Sequence, residues 1–130
     1  MLSELELKGR CLERLMEISA DGFVLVDADS KIIEISQAYC DKLGRTRVET
    51  IGKHAMDVLL DSQLPGYIAS GTKLFEKDAI HRLRKDIRPY DDEYCFVSRG
   101  AVFSGDQVIG AVSQVQFVEK TEKLSKSMKA

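Results

Sequence analysis

The spacing of apolar residues in the first part of the chain is helical. Over residues 3–19, apolar side chains recur every three or four positions between charged ones, which predicts an amphipathic helix. The candidate apolar stripe consists of Leu5, Leu12, Leu15 and Met16. A short helix is stabilised mainly by burying such a stripe, either on its own domain or on a partner helix. We expect a homodimer formed through this helix.

After this helix the pattern changes to strands, and it returns to strands near the C-terminus. Turn residues at positions 27–30 join the first two strands as a hairpin, and a tight turn at 104–106 joins the last two. The predicted strands cover residues 23–27, 31–35, 78–84, 93–104 and 107–118.

Between the two groups of strands, the sequence predicts several short helices. Each is bounded by a residue that caps a helix start or by a glycine that ends a helix, and one pair has the spacing of a capping box. In chain order the candidate boundary residues are Ser36, Gly44, Thr46 with Glu49, Gly52, Ser62, Pro65 and Gly71.

The order of these elements predicts an α+β fold. We expect a five-stranded antiparallel sheet with short helices packed on one face and flanking helices at both ends. The expected organisation is an N-terminal helix over residues 1–19, a core over 20–118 and a C-terminal connector helix over 119–130.

Composition narrows the class of protein. The chain has 130 residues, 44% apolar and 31% charged, which suits one folded domain. A net charge of −2 lacks the basic excess of an autonomous nucleic-acid binder. Apolar runs are too short to cross a bilayer, and no secretory leader opens the chain. Three widely spaced cysteines argue against a disulfide scaffold, so we expect a cytoplasmic location.

Several short motifs, in this order and spacing, together resemble a PAS domain, the sensory module common in bacterial signalling proteins. The resemblance covers residues 12–118 and implies a cavity between the sheet and the short helices. The motifs lie at residues 18–23, 26–27, 32–33, 38–39, 43–44, 49–53 and 108–112.

A narrower resemblance is to PAS domains of sigma-54-dependent transcriptional activators. It rests on Leu64-Pro65 with Gly71, and on Ser98-Arg99 ahead of the last hairpin. In that family the PAS unit precedes an ATP-hydrolysing AAA+ domain and a helix-turn-helix domain. The chain contains no Gly-x-x-x-x-Gly-Lys-Ser/Thr loop, so we expect an input domain whose AAA+ and helix-turn-helix domains belong to the parent protein.

The sequence lacks the motifs by which PAS domains hold cofactors. Cys40 is outside the Asn-Cys-Arg-Phe-Leu-Gln motif of flavin-binding light sensors, and the helix over residues 63–70 has no histidine for a haem. His54 and His81 have no metal-ligand spacing. We expect no cofactor, no metal and no enzymatic activity, since no nucleophile–base pair or carboxylate pair is visible. The cysteines are expected to be packing residues.

Arg99 is the sharpest candidate for a binding residue. On a strand it shares one face with four apolar residues, and a guanidinium on a core face is costly unless it is paired. One interpretation is an internal ion pair, or a twist that turns the side chain to solvent. The other is recognition of a carboxylate ligand, whose geometry the guanidinium matches. Ser113, the polar member of the last strand's apolar face, and Tyr39 are weaker candidates for lining the same cavity.

Two functions remain open. The first is a regulatory module that binds a small organic molecule such as a carboxylate and signals through its terminal helices without direct contact to nucleic acid or membrane. The alternative is a ligand-free dimerisation or interaction module.

The basic stretch at residues 81–88 is interpreted as a solvated loop, because acidic residues interrupt and follow it.

Overall fold

The described strands form one five-stranded antiparallel sheet, in which the order across the sheet is residues 32–35, 22–27, 107–118, 94–104 and 76–82. The computed structural model describes residues 3–59, 62–82 and 94–118. The elements are α1 (Glu4–Ile18), β1 (Gly22–Asp27), β2 (Ile32–Ile35), α2 (Gln37–Leu43), α3 (Arg47–Thr50), α4 (Ala55–Val58), α5 (Leu64–Ser70), β3 (Glu76–Arg82), β4 (Tyr94–Ser104) and β5 (Gln107–Val118). The predicted fold class is confirmed; the predicted connector helix over residues 119–130 lies outside the described residues.

Side-chain hydrogen bonds within the turn between β1 and β2 stabilise the first hairpin. The carboxylate of Asp27 accepts hydrogen bonds from the backbone N–H groups of Asp29 at 2.9 Å and Lys31 at 3.0 Å. Ser30 adopts a left-handed conformation with φ 63°, which small polar residues in turns tolerate better than large ones. This hairpin places β1 between β2 and β5.

Ser36 connects the hairpin to α2. Its buried hydroxyl accepts from the N–H of Tyr39, as an N-cap does, and also from the N–H of Phe23 at 2.9 Å. The same hydroxyl donates to the carbonyl of Asp21 at 3.0 Å. The Ser36 hydroxyl therefore forms hydrogen bonds with backbone groups of α2, of β1 and of the turn before β1.

The capping box predicted at the start of α3 is confirmed. Thr46 accepts from the N–H of Glu49 at 3.2 Å, and the Glu49 carboxylate accepts from the N–H of Thr46 at 2.8 Å. Arg47 follows the cap, donates to the carbonyl of Ile35 at 2.9 Å and forms an ion pair with Glu34 at 3.1 Å. Through Arg47, α3 is tied to the edge strand β2.

The starts of β1 and β2 differ from the prediction by one residue each, and the starts of α5 and β3 differ as well. The helix α5 has Gln63 at the N-cap position, although the hydroxyl of Ser62 still accepts from the N–H of Leu64 at 3.3 Å. The strand β3 begins at Glu76, two residues earlier than expected. It does so because a register shift between Glu76 and Ala79 lets pairing continue across the irregular segment.

The core lies between the short helices and one face of the sheet. Alternate residues of β1 are buried, as expected of a half-covered antiparallel strand. The buried apolar residues are Val24, Val26, Ile32, Ile35, Tyr39, Cys40, Ala55, Val58, Leu59, Leu64, Cys95, Val97, Ala111 and Val115.

Among the described residues, no helix is long and apolar enough to span a membrane.

The apolar stripe predicted for α1 divides between two environments. Met16 is buried with 3% of its surface exposed, and Leu12 is half-buried. Leu5 is 80% exposed and Leu15 46% exposed. The C-terminal half of α1 therefore packs on its own domain, near α2 and β2, while leucines at both ends of the stripe remain at the surface.

Candidate functional site

Arg99 lies on the face of β4 that packs towards the core. Along that face Cys95 and Val97 are buried, and the Arg99 side chain is only 11% exposed. Removing a guanidinium from water to this extent is costly unless it is paired with an anion. The position of Arg99 therefore calls for a carboxylate beside it.

The carboxylate is supplied by Glu76 of β3. Glu76 is the cross-strand partner of Arg99, and Nε of Arg99 donates to Oε1 of Glu76 at 3.2 Å. The hydroxyl of Tyr67, on α5, donates to the same oxygen at 2.9 Å. Arg99 thus forms an internal ion pair, one of the two arrangements considered from the sequence. We call these three side chains the Arg99 cluster.

Electrostatics keep the hydroxyl of Tyr67 a hydrogen-bond donor. Burial raises the pKa of Tyr67, and the hydrogen bond and negative charge of Glu76 raise the pKa further, while Arg99 lowers it. The net direction is upward, so Tyr67 is protonated at neutral pH and donates to Glu76. Within the Arg99 cluster one carboxylate oxygen is therefore shared between a cation and a neutral donor.

Burial also raises the pKa of the Cys95 thiol to about 11, although the nearby charge of Arg99 lowers it. Burial likewise raises the pKa of Cys40. A thiol becomes nucleophilic only as the thiolate, so both are inert at neutral pH. Cys11 is exposed on α1. These positions agree with a packing role for the two buried cysteines.

The structure brings Ser113 next to Arg99, whereas Tyr39 packs towards the end of β5. Ser113 is buried on β5 and is the direct cross-strand neighbour of Arg99. Tyr39 packs edge-to-face on Phe117, with ring centroids 5.7 Å apart. Phe117 is four positions further along β5, about 13 Å at the usual rise of a strand. Two of the three predicted pocket residues therefore belong to one neighbourhood.

Two open clefts border the Arg99 cluster. The first, which we call the α5 cleft, has a volume of about 410 Å³, and Tyr67 and Glu76 line it together with Leu74 and Phe75. The second is a groove of about 620 Å³ lined by residues that include Phe75, Glu76, Arg99, Val112 and Gln114. Glu76 lines both clefts, whereas Tyr67 lines only the first and Arg99 only the second, so each member of the cluster borders a cleft.

The sequence pattern does not single out Glu76 or Tyr67. Glu76 precedes the strand that the pattern predicts, so nothing paired it with Arg99. Tyr67 lies on a short helix whose sequence shows no motif for a binding site. The spacing of Tyr67 and Glu76, nine positions apart across a turn, carries no local signal. Only the register of β3 against β4 reveals the cluster.

The described residues hold no group of three or more His, Cys, Asp or Glu side chains that could bind a metal ion. His54 is the N-cap of α4, where its Nδ1 accepts from the N–H of Met56 at 3.1 Å. The side chain of His81 lies outside the described residues.

Comparison with known proteins agrees with this architecture. A family model described as the PAS fold matches residues 11–97, and the chain therefore belongs to the PAS family. No curated protein matches the chain significantly in sequence. Arg99 and Ser113 lie beyond the matched residues, on the last two strands.

Solved structures share the fold at low sequence identity. The PAS domain of an HTR-like protein from Haloarcula marismortui is 21% identical, with a TM-score of 0.58 and coverage of 87% of this chain and 99% of that chain. The PAS domain of BvgS from Bordetella pertussis is 12% identical, with a TM-score of 0.62 and 94% of each chain covered. A domain of a sensor histidine kinase/response regulator from Geobacter sulfurreducens is 19% identical, with a TM-score of 0.57 and coverage of 88% and 97%.

Proposed function

We propose that this PAS domain is the sensory module of a longer signalling protein, that it binds a small organic carboxylate through Arg99, and that it signals through its terminal helices. The observation that carries the proposal is a guanidinium on the inner face of the sheet, 11% exposed, beside the hydroxyl-bearing Ser113. Support for a signalling role comes from the PAS family itself and from the similar domain of a sensor histidine kinase/response regulator.

The nature of the output domain is part of the same proposal. The motifs at Leu64-Pro65 and Ser98-Arg99 resemble those of sigma-54-dependent activators. On that basis the parent protein would carry AAA+ and helix-turn-helix domains, would be cytoplasmic, and would leave DNA contact to those domains. The PAS domain itself would be non-catalytic.

Organic acids should raise the melting temperature of the protein, and the variant Arg99→Ala should abolish the rise, because the guanidinium supplies the charge that recognises the carboxylate. The measurement is a thermal-shift panel of neutralised organic acids at constant ionic strength. Arg47→Ala is the matched control, since Arg47 is a partly buried arginine with its own carboxylate partner. The control should retain the rise; a wild-type protein that responds to no organic acid would contradict the proposal.

We also propose that the protein dimerises through α1. The exposed apolar residues Leu5, Leu7, Leu15 and Ile18 give α1 a surface that a second copy would bury. We expect light scattering to give the mass of a dimer, and the double variant Leu5→Ser/Leu15→Ser to give the mass of a monomer. Val48→Ser is the control, because Val48 is 90% exposed on α3. A monomeric wild-type protein at high concentration would overturn this part.

A ligand-free interaction module is the second candidate function. Two observations favour it: Arg99 already has a carboxylate partner, and the two clefts at the cluster are open. Native mass spectrometry of the purified protein separates the candidates. A retained small molecule supports sensing, whereas its repeated absence supports a role in interaction alone.

A further inference from the structure

The two partners of the ion pair in the Arg99 cluster differ in their access to water. The side chain of Arg99 is 11% exposed, whereas that of Glu76 is 45% exposed. An ion pair between such partners is easier to separate from the exposed side, because the carboxylate regains its hydration there while the guanidinium does not. The exposed partner is therefore the one that can leave.

The backbone around Glu76 permits this movement. The register of β3 against β4 shifts between Glu76 and Ala79. Within the shift, Asp78 has a left-handed conformation with φ 54°, and its N–H donates to the hydroxyl of Ser98 at 3.0 Å. The regular ladder runs from Ala79 onwards, so Glu76 can move while that ladder stays intact.

The space beside Glu76 has the chemistry of a site for an amphipathic molecule. The α5 cleft has a volume of about 410 Å³, in the range of small-molecule pockets. Leu74 and Phe75 form an apolar wall and are 79% and 71% exposed. Tyr67 and Glu76 also line the cleft, and the Glu76 carboxylate accepts from both the Tyr67 hydroxyl and the Arg99 guanidinium. A ligand with an apolar body and one carboxylate would complement both parts.

We propose that Glu76 is an internal substitute for the ligand's carboxylate: an organic acid with an apolar body enters the α5 cleft and displaces Glu76 from Arg99. One carboxylate replaces another, so the charge beside Arg99 does not change. Glu76 moves into solvent, and Tyr67 loses the acceptor that ties α5 to β3. Ligand entry is thereby coupled to release of α5. This inference rests on the proposed function and adds to it the ligand class and the competing group.

The test is calorimetric titration of the protein with benzoate and hexanoate, with benzamide as the uncharged analogue of benzoate. The variant Glu76→Gln should bind both acids roughly tenfold or more tightly than wild type, because a competitor that occupies Arg99 for 90–99% of the time lowers the apparent affinity by about 10- to 100-fold. Glu76→Ala should do the same, since it also lacks the carboxylate. Neither protein should bind benzamide.

Glu34→Gln is the matched control, because Glu34 is paired with Arg47 on the opposite edge of the sheet. It should bind the acids with wild-type affinity. A second readout is amide hydrogen exchange of α5, which benzoate should accelerate in wild type and which Glu76→Ala should accelerate without ligand, because alanine offers no acceptor to the Tyr67 hydroxyl.

The outcomes distinguish this inference from the proposed function. If wild type and Glu76→Gln bind benzoate with equal affinity, or the variant binds more weakly, competition by Glu76 is overturned while carboxylate binding stands. If neither protein binds any of the acids, carboxylate sensing is overturned as well. If Glu76→Gln binds the acids more tightly than wild type but benzoate does not change the amide exchange of α5 in wild type, the coupling of ligand entry to α5 is overturned.

Discussion

The variant Gly110→Ala should unfold at a markedly lower urea concentration than wild type, with a loss of roughly 3 kcal/mol in the free energy of unfolding. A Cβ atom at position 110 would lie 2.3 Å from the carbonyl oxygen of Val26, which is far inside van der Waals contact. Because the Val26 oxygen belongs to the backbone and not to a flexible side chain, β1 and β5 would have to separate. Far-UV circular dichroism is the suitable probe, since the chain contains no tryptophan.

Gly9→Ala is the matched control for this substitution. Gly9 lies in α1 and nothing is within 4 Å of the added atom. An alanine there should stabilise the protein by about 0.5–1 kcal/mol through helix propensity. The same chemical change thus has opposite signs at the two positions. A Gly110→Ala variant as stable as wild type would contradict the close β1–β5 approach.

The second large effect is expected for Ser36→Ala, with a loss of roughly 2–3 kcal/mol in the free energy of unfolding. The substitution removes an acceptor for the N–H groups of Phe23 and Tyr39 and a donor to the carbonyl of Asp21. Ser36 is fully buried, so water does not readily replace the lost hydrogen bonds. Urea unfolding followed by circular dichroism measures the change.

Ser3→Ala is the control, because Ser3 is also an N-cap but is exposed. Its hydroxyl accepts only the N–H of Glu6 among the described hydrogen bonds, at 3.0 Å. The expected loss there is about 0.5–1 kcal/mol, the ordinary value of a cap. Equal losses at the two positions would show that the additional hydrogen bonds of Ser36 contribute no stability.

Much of the fold is encoded in short-range signals. The helix α2 begins at its serine cap and ends at Gly44, which has a left-handed φ of 70° that glycine adopts without strain. The turn at Gly105, with φ 60°, fixes the hairpin of β4 and β5 at the predicted residues. These boundaries were predictable because each depends on the chemistry of only a few neighbouring residues.

Strand pairing across the sheet was less predictable. The irregular register of β3 against β4 placed Glu76, rather than a residue of the predicted strand, opposite Arg99. A bulge depends on how two distant segments twist together, so alternation within one segment does not reveal it. The same limit explains why the hydrogen bond between Tyr67 and Glu76 was not foreseen.

The amino-acid pattern alone predicted the α+β class, the order of the elements and most of their boundaries, because periodicity and capping are local properties. It also showed that the charged Arg99 lies on an otherwise apolar face of its strand. Only the tertiary structure showed that Glu76 is the partner of Arg99, that Ser113 lies beside Arg99, and that Tyr39 packs on Phe117. Burial and cross-strand register bring together residues that are distant in sequence, and the free energy of a buried charge depends on those neighbours.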